Sequence, residues 1–211
     1  MNVIFIAPPA AGKGTQAKIL CEKYGLLHIS TGDLLRKASK ENLELQEKMN
    51  AGEFIDDSTI LRLIDTEINT SQGTNGYVLD GFPRNMDQAK AFEQMMHDKH
   101  FVIYIEVSKE IAKDRILGRL YCPECGSSYN EFIVGNQPKI QNVCDKCHSN
   151  LIKRNDDTET TFENRFDVYI NHTEPLLEYY RSQDVLYTID GSQDTMKVHS
   201  DIVKVLEGEI W

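Results

Sequence analysis

The chain has 211 residues, 40% hydrophobic and 27% charged, with a formal net charge of -10 at pH 7. That length buries one sizeable core with room for a small inserted module. No apolar window of about eighteen residues offers a membrane span, and the start, MNVIFIAPPA, lacks the basic flank and length of a secretory signal. The acidic balance repels nucleic acid and anionic membrane surfaces, so the expected setting is cytoplasmic with neither as partner, and any anionic ligand has to be met by locally concentrated Arg and Lys.

The first predicted strand, NVIFIA (2–7), runs straight into APPAAGKGTQ (7–16). Ala17, Leu20, Cys21 and Tyr24 then fall at helical spacing and stop at Gly25, which makes Cys21 a buried small hydrophobe rather than a reactive thiol. LLHI (26–29) is the second strand. Residues 30–59 are mostly polar with helical character and precede a helix beginning near Ser58. YVLD (77–80) is the third strand, and Ala89, Phe92, Met95 and Met96 mark another helix stripe. FVIYIEV (101–107) and LYTI (186–189) complete five strands of continuous hydrophobicity, the pattern of a parallel sheet covered on both faces. Residues 122–157 hold four of the five cysteines and no strong helical period. The expected architecture is a doubly wound α/β core (1–29, 60–121 and 158–211) with helices on both faces of a five-stranded parallel sheet, plus two small insertions at 30–59 and 122–157. Ligands bind such sheets beyond the carboxyl ends of the strands.

The segment 7–16 has the shape of a phosphate-binding loop. Such a loop aims backbone N–H groups and a helix N-terminus at phosphate oxygens, with Lys and a hydroxyl beside them. Gly12, Lys13, Gly14 and Thr15 supply the second half, with the hydroxyl one residue later than in the GK[ST] form, while Ala7 and Ala10 stand where glycine is usual. An ordinary strand-to-helix turn is the plain alternative; the strand before and the amphipathic helix after favour the phosphate loop. Wherever φ must be positive, an alanine costs on the order of 1–2 kcal/mol.

Cys122, Cys125, Cys144 and Cys147 give C-x2-C-x18-C-x2-C, the spacing of a structural zinc site. Two disulfides compete, but a chain without an export signal stays in reducing surroundings, and CPECG favours a tight metal-binding turn. His148 could substitute as a ligand; four thiolates would already close the shell and leave no catalytic position. Asp80 ends a strand beside the phosphate loop, where a carboxylate can hold magnesium-bound water, although a lone Asp there is more often a turn residue. Arg36, Arg84, Arg115, Arg119, Arg154 and Arg165, with Lys13, could surround two polyphosphates; singly, each could be a solvated surface arginine. Arg115 and Arg119, four apart, are expected on one helix face.

GKGTQAK, ISTGDLLR (29–36), GYVLDGFPRNMDQA (76–89), DRILGR (114–119), NDD (155–157), ENR (163–165) and DGSQ (190–193) occur in the order and approximate spacing of one family. Over nearly its whole length the chain resembles the adenylate kinases, in their long-lid, zinc-binding bacterial form. The resemblance implies a three-layer P-loop nucleoside monophosphate kinase fold and a monomer that converts ATP and AMP reversibly to two ADP, with magnesium accompanying ATP and lid closure excluding water. It implies that Ala10, Ala11, Gly12, Lys13, Gly14 and Thr15 cradle the ATP phosphates, that Arg119 holds ATP, that Arg115 lies over its adenine, and that Gln193 lends a backbone contact. Thr31, Arg36, Glu53, Phe54, Ile55, Gly81, Phe82, Pro83, Arg84 and Gln88 would form the AMP pocket, with Gln88 reading the adenine edge. Arg154 and Arg165 would close over the transferring phosphoryl group, so the catalytic set is Lys13, Arg84, Arg119, Arg154 and Arg165. Ala7 and Ala10 depart from the family pattern and predict somewhat weakened ATP binding. The rivals are a kinase acting on CMP, UMP or GMP, and a zinc-ribbon binding module with a vestigial phosphate loop.

Overall fold

The computed structural model describes residues 1–40, 42–51, 55–71, 75–95, 99–133 and 135–208. In chain order these form β1 (Asn2–Ile6), α1 (Lys13–Tyr24), β2 (Leu27–Ser30), α2 (Thr31–Ser39), α3 (Leu43–Ala51), α4 (Asp57–Thr70), β3 (Tyr77–Asp80) and α5 (Met86–Met95). They continue with β4 (Phe101–Glu106), α6 (Lys109–Leu117), β5 (Arg119–Tyr121), β6 (Ser128–Asn130), α7 (Glu159–Val168), α8 (Pro175–Arg181), β7 (Leu186–Asp190) and α9 (Thr195–Leu206). A π-helical turn, Tyr169–Thr173, joins α7 to α8.

The five strands predicted for the core pair in the order β2-β3-β1-β4-β7, all parallel. β1 is central and wholly buried because its side chains serve both faces. Val3 and Phe5 pack with Ala17 and Leu20 of α1, Ala112 and Ile116 of α6, and Val198 and Ile202 of α9. Ile4 and Ile6 pack on the other face with Ile64 of α4, Ala89 and Phe92 of α5, and Leu176 and Tyr180 of α8. This is the three-layer arrangement expected. The chain fills one side of β1 through β2 and β3, then the other through β4 and β7, so the crevice beyond Ile6 and Asp80 is the switch point where such sheets bind ligands.

Helix starts are treated unequally. α2, α4, α6, α7 and α9 each begin with a Ser, Asp or Thr side chain accepting from a backbone N–H of the first turn. α1 begins at Gly12 with no side-chain cap, which leaves its first donors to a ligand.

The polar stretch 30–59 forms α2, α3 and the start of α4, as its composition suggested. The cysteine-bearing segment contains no helix among its described residues. It is built on the antiparallel β5–β6 ladder, with bridges Tyr121↔Ile152 and Val143↔Asn150, around a small core of Leu120, Cys122, Cys144 and Leu151. One expectation is corrected here: Arg119 does not share a helix face with Arg115. α6 ends at Leu117, Gly118 caps it, and Arg119 opens β5. A Cβ at Gly118 would stand 2.5 Å from Asn130 Oδ1 and 2.6 Å from Phe132 Cδ2, so only glycine lets the ladder fold back at that point. α6 and α7, which flank the segment, are tied by Lys113 to Glu159 at 2.5 Å and by Lys109 to Glu163 at 2.7 Å.

Candidate active site

The loop after β1 turns on two left-handed residues, Ala10 with φ 60° and Gly12 with φ 101°. Ala7 stays out of that region and is buried in the core, so of the two unusual alanines only Ala10 carries strain. Gly14 leaves room of a different kind: a Cβ there would come within 3.1 Å of Asp80 Oδ2, a tight contact to which the carboxylate would have to give way. Lys13 Nζ donates to the carbonyl oxygens of Ala7 at 2.8 Å and Pro8 at 3.0 Å, bracing the loop. Burial lowers the Lys13 pKa to about 8; Asp80 opposes the shift, and Arg84 and Arg119 reinforce it.

From this loop a cleft of about 1000 Å³ extends under the cysteine-bearing segment and over α2. Lys13, Arg36, Arg84, Arg115, Arg119, Arg154 and Arg165 all line it. Seven cationic side chains from separate parts of an acidic chain thus share one space, which isolated surface arginines would not do. They depress one another: burial lowers the pKa of Arg84, with Arg165 and Arg36 adding to it, and burial lowers that of Arg154, with Arg119 and Arg36 adding. Such an array is built for a polyanion.

Each cation has a holder, and most holders were not singled out from sequence. Arg119 forms a bidentate pair with the buried carboxylate of Asp157, and Arg165 Nη2 donates to Asp156 Oδ2 at 2.5 Å. Arg36 is held by Asp33, one turn earlier on α2, and Arg84 Nε donates to Gly81 O at 2.7 Å. Arg115 reaches the carbonyls of Ala11 and Gly191, joining the phosphate loop to the loop after β7. Arg154 lies 4.9 Å over the Tyr121 ring. The run NDD was legible as a motif, but only the fold reveals that its two aspartates orient two different arginines. His28 Nε2, 3.5 Å from Asp80 Oδ2, is a further cleft residue that sequence reading missed.

On the α2 side, Thr31 is buried and its hydroxyl donates to Gly81 O at 2.9 Å, tying α2 to the loop after β3. Gly81, Pro83, Gln88 and Ile55 line the cleft. Phe82, joined to Pro83 by a cis peptide, does not: its ring is wholly buried in the core, 5.5 Å from that of Phe92. Glu53 and Phe54 lie outside the described residues. Gln193 lines the cleft beside Thr195, its amide donating to Asp190 O.

The four cysteines come together. Their sulfur atoms all lie within 4.8 Å of one another, with Cys122 and Cys147 at 3.4 Å and Cys125 and Cys144 at 3.5 Å. These separations are close to the roughly 3.8 Å edge of a tetrahedron with metal–sulfur bonds of about 2.3 Å. Both C-x2-C turns have one design: the first Cys donates to the carbonyl five residues on and accepts from the N–H four residues on. The left-handed residue closing each turn is Gly126 in one and His148 in the other. His148 is exposed and outside the cluster, whose four thiols suffice to hold a metal ion. The Tyr129 hydroxyl accepts from Asp145 N–H and sits 3.6 Å from Cys144 Sγ. The segment rests on the core in this conformation, with Lys18 of α1 donating to Gly126 O.

An uncapped helix start behind a phosphate loop, at the switch point of a parallel sheet and facing converging arginines, defines a P-loop kinase of the nucleoside monophosphate type. Comparison with known proteins agrees with that class. The family model described as adenylate kinase matches residues 5–185. The chain is 40% identical to the adenylate kinase of Clostridium tetani over 98% of both chains, and 41% identical to that of Rickettsia conorii over 98% of this chain and 99% of that protein. It is 40% identical to the adenylate kinase of a Geobacillus species over 99% of both. The chain belongs to the adenylate kinase family.

Proposed function

We propose that this cleft transfers the γ-phosphoryl group of MgATP reversibly to AMP, giving two ADP. The observation that carries the reading is the convergence of Lys13, Arg84, Arg119, Arg154 and Arg165 on the uncapped start of α1. Residues 10–15 hold the ATP phosphates, Lys13 neutralises them, and Arg115 and Gln193 border the ATP base. Thr31, Arg36, Ile55, Gly81, Pro83, Arg84 and Gln88 form the AMP side, with Glu53 and Phe54 assigned by family resemblance and Phe82 contributing only backbone. An AMP phosphate oxygen attacks the γ-phosphorus in line, so no protein nucleophile is required. The arginines align donor and acceptor and stabilise the charge on the transferring group. Asp80 would hold the water shell of the magnesium that accompanies ATP, and the metal would supply charge neutralisation for the phosphates.

The cysteine-bearing segment, 122–157 with its ladder starting at Arg119, acts as the lid, and the insertion 30–59 as the AMP-binding unit. Zinc held by Cys122, Cys125, Cys144 and Cys147 would be structural, since four thiolates would leave no position for water. Lid closure excludes water that would otherwise accept the phosphoryl group. We further propose a monomer working in the cytoplasm on ATP, ADP and AMP; among the described residues no helix is long and apolar enough to cross a membrane. A coupled assay of ADP formation from ATP with AMP, CMP, UMP and GMP tests the reading. AMP should exceed the others by about a hundredfold or more in kcat/KM, given the size of hydrogen-bond discrimination in buried sites. Equal or greater activity with a pyrimidine monophosphate would transfer the assignment to another monophosphate kinase.

A further inference from the structure

Gln88 is wholly buried, yet it lines the cleft. Its side chain is gripped from both ends. Oε1 accepts from the backbone N–H of Arg84 at 2.7 Å, and Nε2 donates to Asp57 Oδ1 at 2.6 Å. Asn85 completes the frame: its Oδ1 accepts from Gln88 N at 2.8 Å, and its Nδ2 lies 3.3 Å from both Asp57 oxygens.

These partners permit one orientation. A carboxylate only accepts and a backbone N–H only donates, so the amide cannot rotate by 180° without placing oxygen against oxygen and N–H against N–H. In the allowed orientation one Nε2 hydrogen and one Oε1 lone pair remain unused. That pair matches an adenine edge, whose ring N1 accepts and whose N6 amino group donates. It opposes hypoxanthine and guanine, whose N1–H donates and whose O6 accepts. Asp57 does not line the cleft and begins α4 directly after the N-cap Asp56, so helix capping does not account for its inward contacts.

We propose that Asp57 is a specificity-determining positioning residue: by locking the Gln88 carboxamide in one orientation, it makes the monophosphate pocket accept 6-aminopurine and reject 6-oxopurine nucleotides. The proposal rests on the AMP reading of this pocket. It adds a residue that acts through another side chain rather than on the base.

The test compares AMP with IMP, which differ at N1 and position 6 but not in the 2-amino group. In the wild type, ADP formation with AMP must far exceed that with IMP. Asp57→Asn keeps the shape but can present a donor where the carboxylate only accepts, so the turned Gln88 amide is opposed by the Arg84 N–H alone. The AMP:IMP ratio of kcat/KM should fall by about tenfold or more, in line with the loss of one charge-assisted hydrogen bond. The KM for ATP should not change. If Asp57→Asn fails to fold by circular dichroism, Asp57→Ser removes the carboxylate with a side chain still suited to a helix start, and the same fall is expected. A folded variant in which AMP and IMP activities drop together, leaving their ratio intact, overturns the proposal and makes Asp57 merely structural. A wild type that forms no ADP from ATP and AMP removes the reading of the site itself.

Discussion

The phosphate loop and the cysteine-bearing lid both meet the nucleotide cleft, but they hold their shapes by different means. The loop is fixed by the sheet: Ala7 and Ala11 belong to the main core, Lys13 ties back to two loop carbonyls, and Gly14 lets Asp80 approach. The lid has almost no core of its own. Of the four buried apolar positions among its described residues two are Cys122 and Cys144, while Phe132, Ile140 and Ile152 remain 60%, 64% and 48% exposed. A segment that small cannot pay for its own ordering by burial, so a cross-link has to replace the missing apolar area. One region holds its shape through packing; the other, with zinc on its four cysteines as proposed, would hold it through ligation.

The sharpest way to break this contrast is to remove the metal. Stripping zinc with a thiol-selective chelator, or changing Cys144→Ser, should unfold the lid locally while the sheet persists. Amide exchange at Tyr121, Cys122 and Ile152, which carry the lid's backbone bonds, should accelerate more than about a hundredfold, whereas Val78 and Ile103 change little. Equal acceleration in both regions would show that the metal braces the whole molecule.

A second test concerns the loop's lysine. The Lys13 pKa is about 8 in the folded protein against its usual 10.5. Below pH 8 both folded and unfolded forms carry the proton, and the burden of burying the charge is fully present. Between about 8 and 10.5 the unfolded chain binds more protons than the folded one, so stability should rise with pH across that window. A bound polyphosphate restores the charge. Calorimetry of ATP binding at about pH 9 in buffers of different ionisation enthalpy should therefore show uptake of up to about one proton, falling towards zero at pH 7 and disappearing in Lys13→Met. Uptake that survives in Lys13→Met would assign it elsewhere in the cleft.

The smallest effect is at Ala10. Replacement by Gly should relieve the left-handed strain, raising stability by about 0.5–1 kcal/mol after the extra entropy of an unfolded glycine, and lowering the KM for ATP a few-fold. An unchanged or higher KM would show that the methyl does not disturb phosphate binding.

Much of the molecule was legible before the fold was known, because its signals are local. Continuous apolar runs gave the five parallel strands, and glycine spacing with its strand-helix setting gave the phosphate loop. The cysteine spacing gave a cluster that the structure closes. What escaped was tertiary. Gly118 reads as an ordinary helical position until Asn130 and Phe132 pack against it, which is why Arg119 was placed on the wrong element. Phe82 sits inside a cleft motif, but its apolar ring is drawn into the core by Phe92. The pairing of Arg119 with Asp157, 38 residues apart, and of Gln88 with Asp57, 31 apart, has no sequence period to announce it.

The lysine–glutamate ties between α6 and α7 bear on how the proposed lid would travel. The polypeptide leaves the body at the end of one of these helices and returns at the beginning of the other, so both attachment points belong to one charged doorpost. A panel mounted on a single post swings about it and has little freedom to shear, which would carry Arg119 and Arg154 along one shared arc and deliver them to the nucleotides in a fixed relative register.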